Sequence, residues 1–213
     1  MARCIIFCAG EFDGFLLSAE ENDYIIAADG GLAHASRLGL TPNEIIGDFD
    51  SLGYAPEGAA VFPVEKDDTD AMLAIRRGLS LGYKEFILYG SLDGPRLDHT
   101  LANLQALSFL ASQGAVGYLV GNRNIATTIN NETVCFPETA EGILSLFCLG
   151  ADARVTIKGL KYELEDGTLT SAFPLGVSNH FTGKQAQITA VGADALVIYD
   201  RENGLPVREK SQC

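Results

Sequence analysis

The sequence predicts an α/β domain followed by an all-β domain, and three observations favour this fold class. In residues 1–122, short apolar segments typical of buried strands alternate with segments of helical periodicity. This pattern favours a doubly wound, mostly parallel sheet with flanking helices. In residues 123–213, strand-like segments follow one another with turn residues between them, which favours an antiparallel β-sandwich or a barrel. The 213 residues are enough for one large domain or for two small domains with a real core.

The elements of the first domain follow from apolar runs and their breakers. Glycine and proline separate these runs, and acidic residues open the later helices. Strands are predicted at 4–9, 24–28, 45–46, 60–62, 86–89 and 116–120. Helices are predicted at 12–19, 32–38, 98–112 and, after the acidic cluster at 67–70, up to Gly82.

The second domain is predicted to contain seven strands and no helix. The strands are expected at 125–129, 133–136, 143–149, 154–157, 177–181, 185–189 and 196–199. Residues 165–167 and 192–194 are interpreted as turns. The polar segment after Tyr199 is expected to fray.

Composition excludes several classes of function. A net charge of −13 repels phosphate backbones, and no basic cluster is present, so nucleic acid is not an expected partner. The longest apolar runs are too short to span a membrane. Five cysteines without a C-x-x-C pair, four of them in apolar strand-like contexts, favour a reduced, cytoplasmic setting.

Two carboxylates follow the predicted strand at 45–46. Asp48 and Asp50 stand two residues apart, so in extended backbone both side chains leave the same face. Neighbouring carboxylates repel each other unless a cation lies between them, and hard oxygen ligands suit Mg²⁺. The alternative is an ordinary acidic turn after a strand.

Similar clusters recur where three other strands end. They are Asp29-Gly30-Gly31, Asp67-Asp68-Thr69-Asp70 and the loop from Gly94 to Asp98. In an open parallel sheet ligands bind beyond the carboxyl ends of the strands, so these groups are candidates for one site. Each Asp could instead cap a helix, and Lys66 and Arg96 could neutralise phosphate oxygens or merely balance the aspartates. Metal-assisted phosphoryl-type transfer fits such a set, although the usual P-loop and Rossmann signatures are absent.

The ordered motifs resemble those of thiamin pyrophosphokinases. In the first domain they are Ala28-Asp29-Gly30-Gly31, Gly47-Asp48-Phe49-Asp50-Ser51, Asp67-Asp68-Thr69-Asp70 and Arg96-Leu97-Asp98-His99-Thr100-Leu101-Ala102-Asn103. In the second they are Gly159-Leu160-Lys161-Tyr162 and Gly176-Val177-Ser178-Asn179. The resemblance spans roughly residues 24–199. It implies an α/β domain, residues 1–122, that binds nucleotide and metal, and a β-sandwich, residues 123–213, that binds thiamin and dimerises.

The resemblance also implies a reaction and a set of roles. Pyrophosphate would pass from ATP to the hydroxyl of thiamin, with Mg²⁺, in a homodimer whose active site is shared between subunits. The implied magnesium ligands are Asp48, Asp50, Asp68 and Asp70, and the implied catalytic residues are Asp48, Asp50, Asp70 and Asp98, with Asp98 or Asp70 as the base. The implied nucleotide-binding residues are Asp29, Gly30, Gly31, Lys66, Asp68, Thr69, Arg96, His99 and Asn103, and the thiamin-binding residues are Ser178 and Asn179.

Two departures from the family pattern leave other functions open. The loop at 90–96 is one residue longer than expected and contains Asp93 and Pro95, which lacks an N–H donor. Position 180 is His where Glu is expected, and without any tryptophan His180 or Phe181 is left to stack on thiamin. A phosphatase with an aspartate nucleophile and a nucleotide or thiamin sensor without turnover are the alternatives.

Overall fold

The computed structural model describes residues 2–16, 19–47, 60–61 and 68–210. Contacts within the chain divide it into two compact units, Met1–Asn122 and Arg123–Cys213. None of the described helices is long and apolar enough to cross a membrane.

The first unit contains a parallel sheet. Its strands are β1 (Cys4–Phe7), β2 (Tyr24–Ala28), β3 (Glu44–Gly47), β4 (Ala60–Val61), β5 (Glu85–Tyr89) and β6 (Val116–Val120). They are arranged in the order β4-β3-β2-β1-β5-β6, and every neighbouring pair is parallel. All four residues of β1 are fully buried, as expected for a central parallel strand covered on both faces.

Among the residues described, three helices accompany this sheet: α1 (Gly31–Arg37), α2 (Asp70–Ser80) and α3 (Leu97–Ser112). Helix α1 packs on β1 and β2, α2 on β1, β2 and β3, and α3 on β6. Gly78 allows α2 to approach the sheet closely, because a Cβ there would lie 2.5 Å from the Phe86 ring and 2.8 Å from the Cys4 sulfur.

The second unit contains two antiparallel sheets. Its strands are β7 (Asn124–Ile129), β8 (Glu132–Phe136), β9 (Ile143–Cys148), β10 (Ala153–Lys158), β11 (Leu164–Leu169), β12 (Gly176–His180), β13 (Ala186–Val191), β14 (Ala195–Asp200) and β15 (Val207–Lys210). One sheet has the order β7-β14-β9-β12 and the other β11-β10-β13-β8-β15. The predicted fold class, an α/β domain with a β-sandwich after it, is confirmed.

The helix predicted at 12–19 is wrong in its described part. Residues 12–16 form a loop, and Gly14 has a φ of 97°, which no right-handed helix contains. The rings of Phe12 and Phe15 instead pack against Phe7 and Tyr89, with centroids 5.0–5.9 Å apart. Phe12 and Phe15 have the spacing of a helix, but they belong to a loop whose aromatic rings form a cluster.

Two further predictions in the second unit are wrong. The segment 165–167 lies inside β11, where Asp166 adopts a φ of 45° beside a register shift with β10. Its residues are typical of a turn, but they form a bulge in the strand. The segment after Tyr199 contains β15, which pairs with β8, and Arg208 binds Glu132, Thr127 and the Thr128 carbonyl. Both strands lie at the edges of their sheet, where charged residues are common and the apolar pattern is weak.

Candidate active site

The candidate site lies at the carboxyl edge of the parallel sheet. The chain proceeds from β1 outward to β4 and then returns to the other side of β1 as β5, which is the change of direction where such sheets bind ligands. Backbone hydrogen bonds join the loops after β1 and β5: Cys8 N donates to Tyr89 O at 2.8 Å, and Gly10 N donates to Gly90 O at 3.0 Å. The loops after β1 and β5 are therefore joined at this edge.

Asp29 follows β2 at this edge. Its φ of 46° is unusual for a residue with a side chain, and its N–H donates to the Ile46 carbonyl at 2.8 Å. Gly47 lies directly alongside, because a Cβ there would stand 3.1 Å from the Asp29 Cα. The predicted residue Asp29 is thus adjacent to the point where the chain continues into Asp48. Asp48, Asp50 and Lys66 lie outside the described residues.

The glycine pair after Asp29 has a clear packing role. A Cβ on Gly31 would overlap the carbonyl of Phe7, and one on Gly30 would lie 3.1 Å from the Cβ of Ala9. Gly31 therefore allows α1 to begin against the end of β1. The predicted contact of Gly30 and Gly31 with phosphate stays a prediction.

The described residues of the acidic cluster before α2, Asp68 to Asp70, lie in different environments. Thr69 caps the helix, since its Oγ1 accepts a hydrogen bond from Met72 N at 3.2 Å. Asp68 accepts a hydrogen bond from Arg76 Nε at 2.8 Å, and its side chain is partly exposed. Asp70 is the first residue of α2, and burial, with a smaller contribution from the charge of Asp70, raises the pKa of Cys8 to about 12. Within the ranges described, no group of three or more His, Cys, Asp or Glu side chains is placed to hold a metal.

The loop after β5 presents an exposed ion pair. Arg96 Nη2 donates to Asp98 Oδ2 at 2.6 Å, and the two side chains are 64% and 66% exposed. This hydrogen bond from Arg96 lowers the pKa of Asp98 below its ordinary value, so the carboxylate is ionised at neutral pH. Asp98 does not cap α3: Arg96 occupies the cap position and makes no capping bond with its side chain. His99, the next residue, is also exposed.

Two residues stabilise the loop after β5 through hydrogen bonds. Asn103 is buried, and its Nδ2 donates to the Ser91 carbonyl at 2.8 Å. Asp93, which the sequence indicated only as an unusual insertion, accepts a hydrogen bond from Asn122 N through its carboxylate and one from Glu11 N through its carbonyl at 2.5 Å. These two contacts of Asp93 join residues 29 and 82 positions apart in sequence, so no local signal could have identified them.

The second unit places the predicted thiamin-binding residues on β12. Ser178 has a φ of 61°, and its N–H donates to Ser145 Oγ at 3.0 Å. Asn179 is only 5% exposed, and its side-chain amide binds the backbone of Tyr162. The Phe181 ring packs edge-on against Phe136 with centroids 5.2 Å apart, and whether His180 or Phe181 stacks on thiamin stays untested.

Comparisons with known proteins agree with both units. A sequence model described as the catalytic domain of thiamin pyrophosphokinase matches residues 15–116, and one described as its vitamin B1 binding domain matches residues 131–191. Together the two matches cover more than half of the chain. This chain belongs to the thiamin pyrophosphokinase family.

Individual members of the thiamin pyrophosphokinase family support this assignment. The thiamine pyrophosphokinase of Bacillus subtilis (strain 168) is 27% identical over 179 residues, which are 75% of this chain and 79% of the relative. The crystal structure of a Bacillus subtilis thiamine pyrophosphokinase has the same fold, with a TM-score of 0.82, 23% identity, and coverage of 93% of this chain and 98% of the other. A thiamin pyrophosphokinase family protein from Enterococcus faecalis follows, with a TM-score of 0.77, 25% identity, and coverage of 94% and 99%. As a thiamin pyrophosphokinase family member, the chain is an enzyme.

Proposed function

We propose that this enzyme transfers pyrophosphate from ATP to the hydroxyl group of thiamin, releasing AMP and thiamin diphosphate. The observation that carries the proposal is the exposed Arg96–Asp98 pair at the carboxyl edge of the sheet, in a chain that matches the family over both units. An ionised carboxylate and a guanidinium that both face solvent are available to a substrate, whereas buried pairs are not.

The Arg96–Asp98 pair suggests an order for ATP binding and pyrophosphate transfer. The planar guanidinium of Arg96 suits two phosphate oxygens, so the polyphosphate of ATP would replace Asp98 as its partner. Asp98, released from Arg96, would accept the proton of the thiamin hydroxyl. The hydroxyl oxygen then attacks the β-phosphorus, the bond from this phosphorus to the α–β bridging oxygen breaks, and AMP leaves with that oxygen. Asp70, the first residue of α2, is the alternative base.

The remaining predicted residues would line the nucleotide site. Asp29 follows the end of β2, and Thr69 caps α2. Asn103 supports the loop that carries Arg96. Gly30, Gly31, Lys66, Asp68 and His99 complete the proposed set.

The donor chemistry of four aspartates fits Mg²⁺. Asp48, Asp50, Asp68 and Asp70 would supply carboxylate oxygens, which this ion prefers, and substrate phosphates and water would complete its shell. Of these, Asp68 and Asp70 are described, and Asp68 would exchange Arg76 for the ion. When bound, the ion would neutralise charge on the transferring phosphates.

Thiamin would bind in the second unit near Ser178 and Asn179. The match of this region to a vitamin B1 binding domain supports the placement. A net charge of −13 favours the approach of a positively charged substrate. We also infer a homodimer with shared active sites, because the chain belongs to this family, and a cytoplasmic location, because the four described cysteines are free and buried.

The deciding experiment is AMP release from ATP and Mg²⁺, with and without thiamin, beside an Asp50→Ala control. We expect thiamin-dependent AMP that the substitution abolishes and that omission of Mg²⁺ also abolishes. Release of ADP or inorganic phosphate would indicate a kinase or phosphatase instead. Binding of ATP or thiamin without turnover would identify a sensor.

Sharing of the site between subunits has a separate test. An inactive Asp98→Asn variant is mixed with an inactive Ser178 variant after both have been dissociated and reassociated. Recovered activity is expected if each site takes residues from two subunits. No recovery from confirmed mixed dimers would assign each site to one chain.

A further inference from the structure

Asp93 joins the three loops that follow β1, β5 and β6. Its carbonyl accepts a hydrogen bond from Glu11 N at 2.5 Å, and its carboxylate accepts one from Asn122 N. The side chain of Asn122 extends the connection, because its Oδ1 accepts a hydrogen bond from Asp13 N at 2.8 Å. We call these three hydrogen bonds the Asp93 anchor.

Two glycines allow the close approach that the Asp93 anchor requires. A Cβ on Gly10 would lie 2.5 Å from the carbonyl oxygen of Asp93, and a Cβ on Gly121 would lie 2.5 Å from its carboxylate oxygen Oδ2. A side chain at either position would therefore displace Asp93 from one of its partners. Although Asp93 departs from the family pattern, the ends of β1 and β6 leave a space that fits it.

The Asp93 anchor lies close to Arg96 along the chain. Gly94 and Pro95 separate the two residues, so the Cα of Arg96 lies within about 11 Å of the Cα of Asp93, and the proline ring fixes one of the intervening φ angles. On the other side of Arg96, its carbonyl accepts a hydrogen bond from Thr100 N at 3.3 Å in the first turn of α3. The backbone of Arg96 is therefore held from both sides, whereas its side chain is 64% exposed.

We propose that Asp93 is a positioning residue that acts through Arg96, by fixing the backbone from which the guanidinium reaches the polyphosphate of ATP. The inference rests on the proposed function and adds a residue to it. A loop that is already fixed loses less entropy when the phosphates bind. This role needs the acceptor oxygen of Asp93 and not its charge, because the partner is a neutral N–H group. A carboxylate that faced the phosphates would instead repel them, so the two roles predict opposite effects on ATP binding.

The first test compares three substitutions by steady-state kinetics. Asp93→Ala removes the acceptor and should raise KM for ATP about 3- to 10-fold, with kcat and KM for thiamin nearly unchanged. Asp93→Asn keeps an oxygen for Asn122 N and should restore KM for ATP to near the wild-type value. Asp13→Ala removes an exposed carboxylate at the same edge but keeps its backbone N–H, so it should not raise KM for ATP. An unchanged or lower KM for ATP in Asp93→Ala, or no rescue by Asp93→Asn, would overturn the proposal.

The second test asks whether Asp93 acts through Arg96. Arg96→Gln alone should raise KM for ATP, and the double variant with Asp93→Ala should raise it no further. Multiplied effects in the double variant would overturn the positioning role. Gly121→Ala, which would displace the carboxylate while Asp93 itself remains, should reproduce the effect of Asp93→Ala. Thermal unfolding identifies any variant that fails to fold, and Gly121→Ala replaces Asp93→Ala in that case.

The third test does not depend on turnover. Equilibrium dialysis of the full-length protein with ATP and Mg²⁺, in the absence of thiamin, measures nucleotide binding alone. Kd for ATP should rise in Asp93→Ala and return toward the wild-type value in Asp93→Asn. If Asp93→Ala binds ATP as tightly as the wild type, the inference fails even where thiamin-dependent release of AMP is established. If the variant binds ATP more weakly than the wild type but the wild type releases no AMP, only the proposed reaction fails.

Discussion

The two edges of the parallel sheet use their charged residues differently. At the amino edge, Arg3 and Asp23 precede β1 and β2, and their side chains pair at 2.5 Å while only 9% and 1% exposed. At the carboxyl edge, Arg96 and Asp98 pair at a similar distance, but both are about two thirds exposed. The same chemical pair is structural in one place and available to a ligand in the other.

The neighbouring amino-edge carboxylate Glu44 also has partners within the protein, although Arg77 is 44% exposed. Glu44 accepts hydrogen bonds from Arg77 and from the Tyr24 hydroxyl, and the bonds from Arg77 hold its pKa below the ordinary value. These charges join β2 and β3 to α2. The charges at this edge therefore connect elements of the fold to one another.

The largest expected effect is that of Asp98→Asn on catalysis. Loss of a general base reduces kcat by about 10²- to 10⁴-fold, and the free energy of unfolding should hardly change because the side chain is exposed. Steady-state AMP release and urea unfolding measure the two quantities. Glu138→Gln, which removes an exposed carboxylate elsewhere, is the control. A kcat within threefold of the wild type would exclude Asp98 as the base and favour Asp70.

The same substitution at the other edge should have the opposite outcome. Asp23→Asn leaves the buried Arg3 beside a neutral side chain, with the exposed Glu20 carboxylate at 3.4 Å as its remaining charged partner. Breaking a buried pair costs about 3–5 kcal/mol of stability, and we expect a loss at the lower end because Glu20 remains. The activity of the folded fraction should be unchanged. Urea unfolding tests this directly, and a loss under 1 kcal/mol would place the pair among ordinary surface pairs.

The pH dependence of this pair has a definite sign. Burial raises the pKa of Asp23, but the hydrogen bonds from the Arg3 side chain, Glu20 N and Arg3 N, together with the charge of Arg3, outweigh it and hold the pKa below the ordinary value. The stabilisation is therefore complete above the pKa of the unfolded chain and is lost as pH falls through the folded value. The stabilities of the wild type and Asp23→Asn should converge in acid, which unfolding curves at a series of pH values measure. A gap that stays constant in acid contradicts this cause.

Asn103→Ala should have a smaller and mixed effect. The Ser91 carbonyl would lose its buried partner at a cost of about 1–3 kcal/mol, and the loop carrying Arg96 would lose support. We expect lower stability together with a higher KM for ATP. Ser112→Ala, near the exposed end of the same helix, is the control. Lower stability with an unchanged KM for ATP would limit Asn103 to a structural role.

The smallest expected effect is a shift in the acid limb of the rate profile. Because Arg96 lowers the pKa of Asp98, Arg96→Gln should move that limb to higher pH, toward the ordinary carboxylate value. The measurement is the pH profile of kcat/KM for ATP, which reports the enzyme before ATP binds, while Arg96 still pairs with Asp98. A limb that does not move would show that Arg96 does not set the ionisation of the base.

The sequence predicted the regular parts of the fold because hydrophobic periodicity is local. Strand β6 was predicted with its observed bounds, Val116–Val120, and α2 differs from its prediction mainly at its cap, which is Thr69. The edge strands β11 and β15 were missed because half of their residues face solvent. Asp93 and the bond between Asn179 and Tyr162 were missed because they depend on contacts between distant segments.

The buried cysteines also allow the opening rates of the two units to be measured separately. Cys4 and Cys8 in the first unit and Cys135 and Cys148 in the second are at most 6% exposed, and burial raises the pKa of each thiol. A thiol reagent reacts with the thiolate, so each of these sulfurs is protected until its own unit opens. Alkylation followed by peptide mass spectrometry would thus report the opening rate of each unit separately, with the native cysteines as the reporting groups.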